Sequence, residues 1–191
     1  MQKKRLLGAK ILGALVLLLM LIGSGHPNIY MDILGFILIV SAGVGRIWSS
    51  AYISGFKSGK VVKDGPYSMM RNPLYFFSLL GFVGVGFVFG SLSISLLLLA
   101  VFLVTHLPII HHEEKKLLKL FGKEYEAYKA TTPRFFPRFA QFHNPKVIEF
   151  YPQKFTKTLI EATYLIFAYG LIKLIVWFHE VSILPNLFYL Y

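Results

Sequence analysis

Residues 74–110 read LYFFSLLGFVGVGFVFGSLSISLLLLAVFLVTHLPII. The stretch has no Asp, Glu, Lys or Arg, and Gly90-Ser91 is the break between its two apolar halves. Each half approaches the ~20 apolar residues that cross a bilayer core. In hydrocarbon an unpaired backbone amide costs several kcal/mol, so only helices and closed barrels span it. Continuous apolar runs, rather than two-residue alternation, exclude a barrel. The stretch is therefore read as two helices, 74–90 and 92–110, folded into a tight hairpin at the Gly-Ser turn.

Working outward, residues 6–22, 29–49 and 158–178 form three more apolar runs. The expected fold is all-α, a polytopic helical membrane protein of about five transmembrane helices. Composition agrees: 55% of the 191 residues are apolar, and the mean hydropathy is high for a soluble domain. The first run follows a basic start, but Gly23-Ser24-Gly25 before His26-Pro27 is a poor cleavage site, so it reads as a retained helix. There is no cysteine, which removes disulfides, thiolate metal sites and thiol nucleophiles. One membrane domain is expected. Its two N-terminal spans lie in 1–56, its polar motifs with spans three and four in 57–137, and an extension with a fifth span in 138–191.

The formal net charge is +11. In a membrane protein such an excess reflects cytoplasmic loops and anionic lipid, and no soluble module interleaves basic residues with base-stacking aromatics, so no nucleic acid is expected as partner. Of the 20 Lys and Arg, 18 lie in the N-terminus, in 50–72 or in 111–157. Five crossings put these three segments on one side. The positive-inside rule makes that side cytoplasmic, together with the N-terminus, and leaves the C-terminus outside.

A few charges fall within the spans. Lys10 and Asp32 stand near helix ends, where they snorkel. Glu161 and Lys173 are too far apart on the fifth helix to pair with each other, so each snorkels or meets another span. Arg46 follows Gly43-Val44-Gly45 and reads as an interfacial arginine beside two packing glycines.

Two polar segments remain. Gly65-Pro66-Tyr67-Ser68-Met69-Met70-Arg71-Asn72-Pro73-Leu74-Tyr75 is a turn-rich hinge ahead of the hairpin. Residues 111–130 continue the fourth span as an amphipathic helix, with Leu117, Leu118, Phe121, Tyr125 and Tyr128 at three- and four-residue spacing. Gly122 weakens that helix and marks a kink or a close contact. Thr131-Thr132-Pro133 ends it, and Arg134-Phe135-Phe136-Pro137 runs extended. His111-His112-Glu113-Glu114 invites a metal reading. Consecutive helical residues point about 100° apart, however, and no His-Glu-x-x-His spacing occurs, so no metal is expected.

Taken in order, Gly65-Pro66-Tyr67, Arg71-Asn72-Pro73-Leu74-Tyr75, Glu113-Glu114-x-x-Leu117, Phe121-Gly122-x-x-Tyr125-x-x-Tyr128 and Pro133-Arg134-Phe135-Phe136-Pro137 resemble a known pattern. The set is similar to the isoprenylcysteine carboxyl methyltransferase and phospholipid methyltransferase group of integral-membrane enzymes. Gly43 and Gly45 resemble the glycine pair of that group. The resemblance implies methyl transfer from S-adenosyl-L-methionine to a lipophilic acceptor that enters from the bilayer, at the cytoplasmic membrane face. Acceptors in keeping with it are an isoprenylcysteine carboxylate, a phospholipid amine or a related isoprenoid lipid. It implies a cofactor pocket built from Gly43, Gly45, Tyr67, Arg71, Asn72, Tyr75, Glu113, Glu114, Tyr125, Tyr128 and Arg134, with Glu114 and Arg134 nearest the chemistry. A carboxylate by a low-dielectric wall attracts the sulfonium and ammonium of that cofactor. Arg71, or failing it Arg134, suits its carboxylate. The tyrosines suit its adenine. An acceptor that must lose a proton would use Glu114 as base. Asn72 stands where isoprenylcysteine enzymes typically carry histidine; a neutral amide is neither acid nor base and can only position. Two other readings stand beside this one: an NADPH-dependent sterol-type membrane reductase, and a non-catalytic membrane protein whose basic face holds anionic lipid.

Overall fold

The computed structural model describes residues 2–56 and 59–191, without the side chains of residues 2–7, 9 and 154. The basic residues Lys3, Lys4, Arg5 and Lys154 thus have no described side chain, and Lys57 lies outside the described residues altogether.

The described residues form seven α-helices. They are α1 (Gln2–Ile22), α2 (Ile29–Ile53), the single turn α3 (Pro66–Met69), α4 (Pro73–Phe89), α5 (Leu92–Phe121), α6 (Lys123–Thr131) and α7 (Pro152–Glu180). Each of the five expected apolar runs is a helix. Three stretches are long and apolar enough to cross a membrane: Ile29–Ile53, Leu92–Phe121 and Phe155–Glu180. Lys10–Ile22 and Pro73–Phe89 are shorter apolar helices.

The hairpin forms where the turn residues call for it. Gly90 caps α4 in the left-handed conformation, and the Ser91 hydroxyl accepts the Ile94 N–H to cap α5. The central helix is α4, packed on α2, α5 and α7. The α2–α4 crossing is made by small residues: a Cβ on Gly84 would lie 3.0 Å from the Gly35 carbonyl oxygen. Met20, Ile39, Val88, Phe89, Ile94 and Ile175 bring α1, α2, α4, α5 and α7 into one core. The outward faces remain apolar and exposed, as at Val44, Val104 and Phe167. Such faces suit lipid rather than water.

The charges within the helices find partners on other helices. Arg46 Nη2 meets Glu161 Oε2 at 2.9 Å, and Lys173 Nζ meets Asp32 Oδ2 at 3.0 Å. Together the two pairs fasten α7 antiparallel along α2. Sequence spacing shows why Glu161 and Lys173 do not pair with each other, but not that α2 answers both.

The amphipathic segment 111–130 is not one helix. α5 continues to Phe121, and Gly122 (φ 49°) breaks it from α6. Nothing lies within 4 Å of where a Gly122 Cβ would stand, so glycine serves the backbone conformation there and not a close contact.

Candidate active site

The hinge 65–75 is organised by its two prolines. Pro66 and Pro73 each stand in the first turn of a helix, where a missing N–H costs nothing. Pro73 also keeps Asn72 out of helical conformation. Met70 is extended, and Asn72 is the residue before α4. The chain therefore runs open between two helices and turns the Arg71 and Asn72 side chains inward. Residues 133–143 lie along it as a strap. Arg71 N–H donates to the Pro133 carbonyl at 2.9 Å, Arg138 N–H to Met69 at 3.0 Å and Gly65 N–H to His143 at 2.9 Å.

Hinge, strap and α5 meet at the Glu114 carboxylate, which is 5% exposed. Its Oε1 accepts Arg71 Nε at 3.1 Å and Asn72 Nδ2 at 3.0 Å. Its Oε2 accepts Arg134 Nε at 3.0 Å and Nη2 at 2.7 Å. Arg71 Nη1 donates further to the Lys129 and Thr132 carbonyls, at 2.9 and 2.7 Å, and Asn72 Nδ2 to the Arg134 carbonyl at 3.0 Å. A carboxylate held by four donors is satisfied in place, and removing it would strand two guanidinium groups.

Beside this knot is a cavity of about 360 Å³. Its polar lining includes Arg46, Lys60, Tyr67, Arg71, Asn72, Tyr75, Glu113, Lys116, Tyr125 and Tyr128, and its apolar lining includes Ile53, Val61, Val62, Leu74 and Leu117. Glu113 Oε2 accepts the Tyr75 hydroxyl at 2.9 Å. The Tyr128 hydroxyl donates to the Tyr67 carbonyl at 2.7 Å. Burial, then the neighbouring Glu114 charge, pushes the Tyr125 phenol up to about 12. Burial raises Tyr128 and Tyr67 as well. All three are therefore neutral donors near neutral pH, not bases. The Tyr67 side chain is 5% exposed, yet its hydroxyl has no hydrogen-bond partner among the described residues. A buried orphan hydroxyl costs about 1–3 kcal/mol unless something answers it.

Seven of the residues expected in the pocket line this cavity: Tyr67, Arg71, Asn72, Tyr75, Glu113, Tyr125 and Tyr128. Glu114 and Arg134 stand behind the wall, in the ion knot. Gly43 and Gly45 are away from the cavity: a Cβ on Gly45 would strike the Phe77 ring, and Gly43 lies nearest the Ala162 carbonyl of α7. The close approach of Phe77 makes Gly45 a packing glycine, while at Gly43 a Cβ would fit in ordinary contact. The adjacent glutamates part because successive helical side chains diverge by about 100°. Lys116 and Leu117, three and four residues beyond Glu113, share its face and line the cavity with it. That spacing is the sequence signal for Lys116. Arg46 gives no such signal: it reads as an interfacial arginine, but the structure sets it on the cavity wall between Ser78 and Glu161. Among the described residues no group of three or more His, Cys, Asp or Glu is placed to hold a metal ion.

Comparison with known proteins gives two kinds of match. Residues 30–124 match the family model described as phospholipid methyltransferase. The chain is 30% identical over 151 residues to the cobalt-zinc-cadmium resistance protein CzcN of Cupriavidus metallidurans, covering 79% of this chain and 69% of the relative. It is 32% identical over 152 residues to the nickel-cobalt-cadmium resistance protein NccN of Alcaligenes xylosoxydans xylosoxydans, covering 80% and 65%. The chain thus spans about two thirds of the length of these relatives. No solved structure matches.

Proposed function

The chain belongs to the phospholipid methyltransferase family, and from that premise we propose that it transfers a methyl group from S-adenosylmethionine to a lipophilic acceptor in the membrane. The observation that carries this reading is a cavity walled by four tyrosines, Glu113 and several cations, with the unanswered Tyr67 hydroxyl buried in its wall.

The lining fits the cofactor's chemistry. Its adenine suits the rings of Tyr67, Tyr125 and Tyr128, and the Tyr67 O–H is a donor in want of an acceptor. Its cationic groups suit Glu113, whose carboxylate the Tyr75 hydroxyl holds. Its carboxylate suits Lys116 or the cavity-facing edge of Arg71. When bound, the cofactor supplies an electrophilic methyl group. The residues around it position and exclude water: Ile53, Val61, Val62, Leu74 and Leu117 make a dry wall for a lipid tail. Alignment of acceptor and methyl group supplies most of the acceleration in such a displacement. A carboxylate or phosphate acceptor needs no base. For an amine, Glu113 in the cavity wall is better placed than Glu114, whose oxygens are taken by four donors. Arg71, Asn72 and Arg134 then act by holding hinge and strap together.

Family membership supports methyl transfer over the reductase and lipid-holding readings. The positions of Lys and Arg in the sequence support a site on the cytoplasmic side, with the N-terminus there too and the C-terminus opposite. Both relatives are named for resistance to metals, cobalt and cadmium among them, and we extend a part in metal resistance to this chain. Calorimetry in nanodiscs tests the cofactor: saturable binding of S-adenosylhomocysteine but not NADPH is expected, and the reverse preference would reject the proposal.

A further inference from the structure

The strap and the linker after it, residues 134–151, carry a surface that methyl transfer does not use. Phe136 and Phe139 are 74% and 73% exposed, and Phe142, Val147, Ile148 and Phe150 are exposed as well. Arg138 and Lys146 stand exposed among them. Glu149 is the one acidic residue between 134 and 157, against five Lys and Arg. Exposed aromatic rings interleaved with cations are costly in water and favourable at the boundary between acyl chains and anionic headgroups.

The level of this surface follows from its neighbour. The Phe135 ring packs on Phe76 and Phe102, with centroids 5.8 and 6.3 Å away. Phe102 lies well inside the apolar run that ends at Ile110, so the strap dips to the depth of the spanning helices at residue 135. Phe136 follows directly and is exposed, its ring centroid 5.7 Å from that of Phe135. The strap does not hang free in this position. Its backbone is bonded to the hinge at Gly65, Met69 and Arg71, and its Arg134 grips Glu114.

We propose that residues 134–150 form an interfacial anchor, seated in the headgroup layer of the membrane on the site's side through Phe136 and Phe139 and held there by Arg138 and Lys146 against anionic lipid. The partner is the bilayer itself, not a soluble protein or a second copy. The anchor joins the bilayer surface directly to the ion knot behind the cavity.

The absence of native cysteine makes the test clean. Phe136→Cys and Phe139→Cys, each carrying a nitroxide, are compared with Lys129→Cys on α6 in nanodiscs containing phosphatidylglycerol. Circular dichroism checks that each labelled protein keeps its helices. Oxygen collision relative to that of a water-soluble nickel chelate is expected to be several-fold higher at 136 and 139 than at 129. Equal chelate access at all three positions would overturn the anchor, because the surface would then face water. Protection from both reagents at 136 and 139 would overturn it equally, because a protein would then cover the surface. The readout needs no methyl transfer, so it stands or falls apart from the proposed activity.

Discussion

Arg134 grips Glu114 through two nitrogens on a single carboxylate oxygen, at 3.0 and 2.7 Å, from a strap that begins only after α6 has ended. This contact closes the strap over the hinge and fixes the wall of the cavity from behind. Glu114→Gln leaves the buried Arg71 guanidinium without its counter-charge, while the half-exposed Arg134 is screened by water, and the expected loss is about 3 kcal/mol. Thermal unfolding in detergent reads it as a large fall in Tm in the absence of any ligand. A variant as stable as wild type would contradict a structural role for Glu114.

Glu113 is expected to behave differently. It lines the cavity and accepts the Tyr75 hydroxyl. Glu113→Gln keeps the shape and removes the charge, so Tm without ligand moves little. Affinity for S-adenosylmethionine falls roughly tenfold, on the scale of one charge-assisted contact. Affinity for S-adenosylhomocysteine, which lacks the sulfonium, falls less. Calorimetry with both ligands checks the difference; equal losses would remove Glu113 from the sulfonium.

Tyr67 and Tyr128 form an informative pair. Tyr67→Phe deletes a hydroxyl that has no partner among the described residues, so the unliganded protein is expected to hold or gain stability. Tyr128→Phe deletes the bond to the Tyr67 carbonyl and is expected to cost about 1 kcal/mol. The ligand-induced rise in Tm with S-adenosylhomocysteine shrinks in Tyr67→Phe. An unchanged rise would mean that the ligand does not use this hydroxyl.

The pair Lys173–Asp32 fastens α7 to α2 at 3.0 Å. Asp32→Asn and Lys173→Met should each destabilise the protein, and the double variant by less than their sum. The coupling expected for a partly exposed pair is about 1 kcal/mol. Additive losses in a double-mutant cycle would show that this pair does not help to hold α7 on α2.

The membrane helices were legible because hydrocarbon leaves the backbone one way to satisfy itself, and Gly90-Ser91 stands where α4 turns into α5. The hinge and the tyrosines were legible from ordered motifs. What stayed hidden depends on partners distant in sequence. Arg46 became a cavity residue only once Ser78 and Glu161 were seen on either side of it. Which of Glu113 and Glu114 faces the cavity depends on the rotation of α5, which adjacency in sequence does not reveal. Gly45 looks alike as a site glycine and as a packing glycine, and only the Phe77 ring against it points to packing.

The central claim is methyl transfer at this cavity, and tritiated methyl transfer into a membrane lipid extract tests it most directly. Purified protein in nanodiscs, given methyl-labelled S-adenosylmethionine, is expected to move label into the organic phase at a rate that falls at least tenfold in Glu113→Gln. No label in lipid above a protein-free control, with intact helices and a full range of membrane lipids supplied, would contradict the account.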